Sequence, residues 1–165
     1  MTKPIRKNNF NLPKKKIQNI LVPLDGSKFS IRALNYAINL AKFTDSKIVG
    51  IFVVSADESP SPMNDLINPL SSINSVEYET KMTKYAHKIL EQSENRCQQN
   101  KIKFVKNISR GNPKYNIVKY SESSKNDIGL IVMGSKGHGH VEEMLLGSVS
   151  YYVVHKSKKP VMIIK

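Results

Sequence analysis

Acidic residues are scarce. Thirteen Asp and Glu stand against twenty-six Lys and Arg in 165 residues, a formal net charge of +13. Tryptophan is absent and cysteine occurs once, at Cys97. A single thiol excludes an internal disulfide and points to a reducing, cytoplasmic location. Cys97 falls in a polar helical stretch and reads as an ordinary thiol. No apolar run approaches the roughly 20 residues that span a bilayer, so no membrane partner is expected. The basic N-terminus has no apolar stretch behind it to act as a signal peptide. Metal-ligand spacing is missing too, because no two of the four histidines stand at helical spacing near a carboxylate. His87, His140 and His155 read as surface residues.

Several chemistries are excluded by missing motifs. There is no Walker loop, no Gly-x-Gly-x-x-Gly fingerprint and no Gly-x-Ser-x-Gly elbow. Zinc-finger spacing, a basic zipper and an aromatic RNA-binding signature are likewise absent. Six bases (Lys3, Arg6, Lys7, Lys14, Lys15, Lys16) sit in residues 1–16 without an acid, and the others are spread along the chain. Residues 1–16 therefore read as a mobile basic tail. Only weak, non-specific nucleic-acid adhesion at low salt is expected.

What is present is a soluble globular composition, 39% hydrophobic and 24% charged, long enough for one domain over 17–165. Residues 17–24 read as a first buried strand. Asp25-Gly26-Ser27 is a turn into a helix whose apolar face is Ile31, Leu34, Ile38 and Ala41. Residues 47–54 form a second strand, β-branched almost throughout. The proline-rich stretch 55–75 reads as a long loop and a candidate lid. A long helix over 76–100 turns Tyr78, Met82, Tyr85, Ile89 and Leu90 inward. A lysine-interrupted edge strand over 102–109 follows. Arg110-Gly111-Asn112-Pro113 turns into a third helix, through Ile117, Val118 and Tyr120. A fourth strand covers 127–133, a fourth helix 148–156 and a fifth strand 161–164. Strands alternating with helices imply an α/β fold with a five-stranded parallel sheet and right-handed crossovers.

The fourth strand ends in the most informative stretch. Met133-Gly134 runs into Gly137, and nine residues later Gly147-Ser148 opens a helix. Gly134 and Gly137 can let backbone approach a ligand, and helix N-terminal amides suit a phosphate. In parallel sheets such a ligand lies beyond the carboxyl ends of the strands, where the strand order reverses. The Ser148 hydroxyl and amide can donate to an anion, as can the Gly147 and Val149 amides; Ser148 can equally be a plain N-cap. Ser150 is a weaker candidate. Lys136 and His138 flank Gly137 and can approach phosphate oxygens or remain solvated. Asp25 can accept a ribose hydroxyl, bind Mg²⁺, or cap the turn after the first strand.

Glycine, two residues, glycine, nine residues and Gly-Ser resembles the loop of nucleotide-binding universal stress proteins. Further landmarks are Val22-Pro23-Leu24-Asp25-Gly26-Ser27, Arg110-Gly111-Asn112-Pro113 and Lys159-Pro160-Val161-Met162-Ile163-Ile164. The resemblance implies a three-layer sandwich of the adenine nucleotide alpha hydrolase-like type, with strand order 3-2-1-4-5. It implies ATP or AMP as ligand, ligand contact by Asp25, and an adenine slot near Val53. Pro23 and Met133 lie alongside that slot, with Leu24 in the same candidate set. It also implies a homodimer through strand 161–164. Beyond Asp25 and a magnesium ion, no second acid or arginine clamp equips the loop for hydrolysis. Nor does the Leu24-Asp25-Gly26-Ser27 stretch supply the Ser-Gly-Gly-x-Asp-Ser loop of adenylating relatives of this sheet. The expected function is nucleotide binding in stress signalling without efficient turnover. A slow Mg²⁺-dependent ATPase and a nucleic-acid-associated basic protein are the alternatives.

Overall fold

The computed structural model describes residues 16–55, 75–138 and 145–165. Residues 1–15 of the tail, residues 56–74 of the candidate lid and residues 139–144, with His140, lie outside the described residues.

Five strands form one parallel sheet in the order β3-β2-β1-β4-β5. They are β1 (Asn19–Pro23), β2 (Lys47–Val54), β3 (Phe104–Arg110), β4 (Ile128–Gly134) and β5 (Val161–Ile164). Helices α1 (Lys28–Thr44), α2 (Ser75–Gln99), α3 (Pro113–Glu122) and α4 (Ser148–Lys156) connect them. A strand in the middle of such a sheet is buried on both faces, which explains continuous runs such as Ile20-Leu21-Val22. Period-2 alternation sends Ile20, Val22, Ile48 and Val132 into one core with α1 and α2. Leu21, Val49, Ile131 and Met133 go into a second core with Ile117 of α3 and Val153 of α4. The three layers are α1–α2, sheet and α3–α4.

Three strand starts differ from the expectation, β1 opening at Asn19 rather than 17. β3 begins at Phe104 rather than 102, because Lys101 turns left-handed (φ 61°) and the Ile102 amide folds back to the Cys97 carbonyl at 2.9 Å. β4 begins at Ile128, one residue late, because Asp127 also takes a left-handed φ, of 42°, closing a 3₁₀ turn over Ser124–Asn126. Cys97 is also better placed by the structure than by composition. It extends the buried stripe of Ala86, Leu90 and Ser93 down α2 and is fully buried. Burial pushes its thiol up to about 12, so it is an inert core residue.

Candidate functional site

β1 and β4 are neighbours, yet their following segments leave in opposite directions, β1 into α1 and β4 into the glycine loop. The divergence opens a cleft of about 360 Å³ above the carboxyl ends of the strands. All thirteen residues singled out from the sequence line it: Pro23, Leu24, Asp25, Val53, Met133, Gly134, Lys136, Gly137, His138, Gly147, Ser148, Val149 and Ser150.

Asp25 sits on the last turn of chain before α1. Its Oδ1 accepts the Ser27 amide at 2.9 Å. Ser27 then caps α1, its hydroxyl oxygen accepting the Ser30 amide at 3.2 Å. Helix capping thus falls to Ser27, and Asp25 organises the turn with one oxygen only. The other oxygen, Oδ2, faces the glycine loop so closely that a Cβ on Gly137 would lie 2.6 Å from it. Gly137 is therefore small to admit the Asp25 carboxylate. The His138 ring also reaches over, and because a carbonyl only accepts, Nε2 donates its proton to the Asp25 carbonyl at 2.8 Å. Gly26, between Asp25 and Ser27, requires glycine twice over. Its φ is +87°, and a Cβ there would collide with the Tyr85 hydroxyl.

Gly134 differs from the sequence reading. A Cβ at that position would stand 2.8 Å from the Phe29 carbonyl carbon and Cβ. Its smallness lets α1 pack onto the end of β4, which is a structural role distinct from ligand approach. Gly147 is a milder case, with an ordinary φ of −71° and room for a Cβ 3.4 Å from the Lys136 Cα. Its amide, counted from sequence among the anion donors, is engaged with the Ser135 carbonyl at 2.7 Å. The buried Ser150 hydroxyl donates to the Ser135 and Gly147 carbonyls at 2.7 and 2.9 Å, tying the loop to α4. That bonding occupies its single proton.

Of the donors counted over Gly147–Ser150, those left are at the start of α4. Gly147 is the N-cap and no side chain caps this end. Ser148, which is exposed, and Val149 line the cleft at the positive end of the helix dipole, where the first amides of a helix have no intrahelical partner. At the other end of the cleft, Val53, Pro23 and the buried Met133 make an apolar slot. Residues missed in the sequence complete that end. Met82 and Tyr85 of α2, Phe52 of β2 and Pro113 and Ile117 of α3 also line the cleft. Phe52 and Tyr85 meet edge to face with ring centres 5.9 Å apart. The 3.6-residue period had turned Met82 and Tyr85 inward, but which strand end they would reach is decided by tertiary packing.

The family model described as "Universal stress protein family" matches residues 16–165. The chain belongs to the universal stress protein family. One relative, universal stress protein MJ0531 of Methanocaldococcus jannaschii, is 33% identical over 162 residues, covering 98% of this chain and 87% of its own. Among solved structures, the universal stress protein UspA of Lactobacillus plantarum superposes with a TM-score of 0.77 at 25% identity, covering 92% of this chain and 99% of that one. An Archaeoglobus fulgidus universal stress protein, solved in complex with dAMP, shares the fold at a TM-score of 0.62 and 19% identity, with 92% and 100% coverage. The three-layer fold and strand order of this universal stress protein are those of the family's solved structures.

Proposed function

We propose that the cleft binds an adenine nucleotide, AMP or ATP, and that the protein is a cytoplasmic nucleotide-responsive module rather than an efficient enzyme. The observation that carries this reading is the convergence of a carboxylate and an uncapped helix start on one cleft. On this reading Asp25 Oδ2 accepts ribose hydroxyls or holds a Mg²⁺ ion with the phosphates. The Ser148 and Val149 amides and the Ser148 hydroxyl would donate to the phosphate. The slot at Val53, Pro23 and Met133 suits a flat base. The dAMP complex of the Archaeoglobus protein illustrates what the fold holds. Turnover would need a positioned water with an acid to orient it, besides charge neutralisation at the phosphoryl group. The described cleft offers Lys136 and His138 but no second acid.

Calorimetric titration of AMP, ADP and ATP, with and without Mg²⁺, tests this. Asp25→Asn keeps an oxygen for the Ser27 amide while removing the charge. It is expected to weaken AMP about tenfold or more, as loss of a charge-assisted hydrogen bond does, with the thermal midpoint held. Wild-type protein that binds none of the three nucleotides would end the reading.

The protein is also proposed to act as a homodimer. Among the described residues β5 is an edge strand bonded only to β4, and its Met162 is 40% exposed. Pairing with a second copy of itself would cover that edge. Light scattering at micromolar concentration is expected to return twice the chain mass. The monomer mass would contradict it.

A further inference from the structure

The nucleotide cleft occupies one pole of the sheet, and the opposite pole carries a feature that reading along the chain disperses. In a parallel sheet every strand begins at the same end and every crossover helix finishes there. Here each strand is approached through an exposed lysine at that end: Lys16 before β1, Lys47 opening β2, Lys101 and Lys103 before β3, Lys125 before β4 and Lys158 before β5. Helices finish there on Lys42, Lys119 and Lys156, all exposed. Hydrogen bonds tie these starts into one surface. The Ile48 amide takes the Lys103 carbonyl at 2.9 Å, the Lys47 amide the Gln18 carbonyl at 3.0 Å, and the Asn19 amide side chain the Asn126 carbonyl at 2.8 Å.

Opposing charge at this pole does not cancel it. Asp45, Glu122 and Asp127 lie among these lysines, and four helix C-termini each bring about half a negative charge. Against nine exposed lysines, roughly four positive charges remain. The Lys16 ammonium, 2.9 Å from Asp45, holds that carboxyl below its ordinary range, and Lys103 adds to the effect. Phe43, flanked by Lys42 in the last turn of α1, is 90% exposed. The fifteen residues before Lys16 in the sequence hold five more bases and no acid.

We infer that this pole is a docking face for a single-stranded nucleic acid, whose phosphates lie along the row of strand starts while a base stacks on Phe43. Five strand starts about 4.8 Å apart make a row about 19 Å long. An extended single strand spaces its phosphates about twice as widely as the roughly 3.4 Å axial rise of a stacked duplex strand, so about three phosphates face the row. One aromatic ring is a stacking platform, but it is a small apolar footprint for a bilayer, which takes an amphipathic helix or a lipid chain. The face is separate from the nucleotide cleft, so both can be filled together.

Fluorescence anisotropy of the full chain with a labelled twenty-nucleotide oligo-dT tests the inference. Neutralising about three phosphates gives a salt slope near −2, or about a twentyfold loss between 50 and 200 mM salt. The triple change Lys47→Glu, Lys103→Glu, Lys125→Glu is expected to weaken binding tenfold or more and remove most of the salt slope. Phe43→Ala is expected to weaken it about fivefold at unchanged slope. The same charge change on the outer flank of α2, at Lys81, Lys84 and Lys88, is expected to cost less than threefold, and thermal midpoints confirm folding. Equal losses from the two triple variants would overturn the inference. So would binding carried wholly by residues 1–15, or binding to phosphatidylserine vesicles without binding to the oligonucleotide.

Discussion

Gly134→Val is expected to destabilise the protein by about 3 kcal/mol, the upper part of the range for overpacking a well-filled interior. The position is buried at the end of β4, and the nearest atoms to an added Cβ belong to Phe29: its carbonyl carbon and Cβ at 2.8 Å and its carbonyl oxygen at 2.9 Å. Backbone atoms cannot rotate away as a side-chain tip can. Relief therefore requires the first turn of α1 to lift off the sheet. That turn carries the Ser27 cap and the buried Ser30, whose hydroxyl donates to the Ser27 carbonyl at 3.0 Å. Denaturant unfolding checks the size of the effect. Gly147→Ala, where a Cβ meets only ordinary contacts, is the matched control and should change stability by well under 1 kcal/mol.

Gly137→Val acts in the opposite sense, on binding more than on stability. Its Cβ would fall 2.6 Å from Asp25 Oδ2, which is closer than non-bonded carbon and oxygen tolerate. The half-buried loop can shift, so the fold should hold. What shifts with it is the Asp25 carboxylate, the His138 bond to the Asp25 carbonyl and the loop's approach to α4. AMP affinity is expected to fall more than tenfold, while the denaturation midpoint moves little. A loss of stability equal to that of Gly134→Val, with affinity kept, would show that Gly137 serves packing instead.

The two glycines illustrate what could be read from the chain. Both stand in the same spaced motif, and the motif placed both at the cleft, where the structure has them. Spacing cannot tell which neighbour fills the room that a missing Cβ leaves. At Gly134 it is Phe29, more than a hundred residues earlier, and at Gly137 it is Asp25. The strands were legible because burial on both faces leaves long β-branched runs. Their starts were less so, since Lys101 and Asp127 take left-handed turns that no period signals. The donor inventory was over-counted for a similar reason: the Gly147 amide and the Ser150 hydroxyl already serve Ser135. Lysines that look scattered in sequence gather at one pole because parallel topology brings every strand start to the same end.

Amide chemical shifts recorded during titration of AMP into isotope-labelled protein test the central claim most directly. The largest changes are expected at Gly137, Ser148 and Val149, with smaller ones at Val53 and Met133. Lys47, Lys103 and Lys125, at the far pole, should stay still. Saturable binding that leaves Ser148 and Val149 unmoved would contradict an anion site at the start of α4.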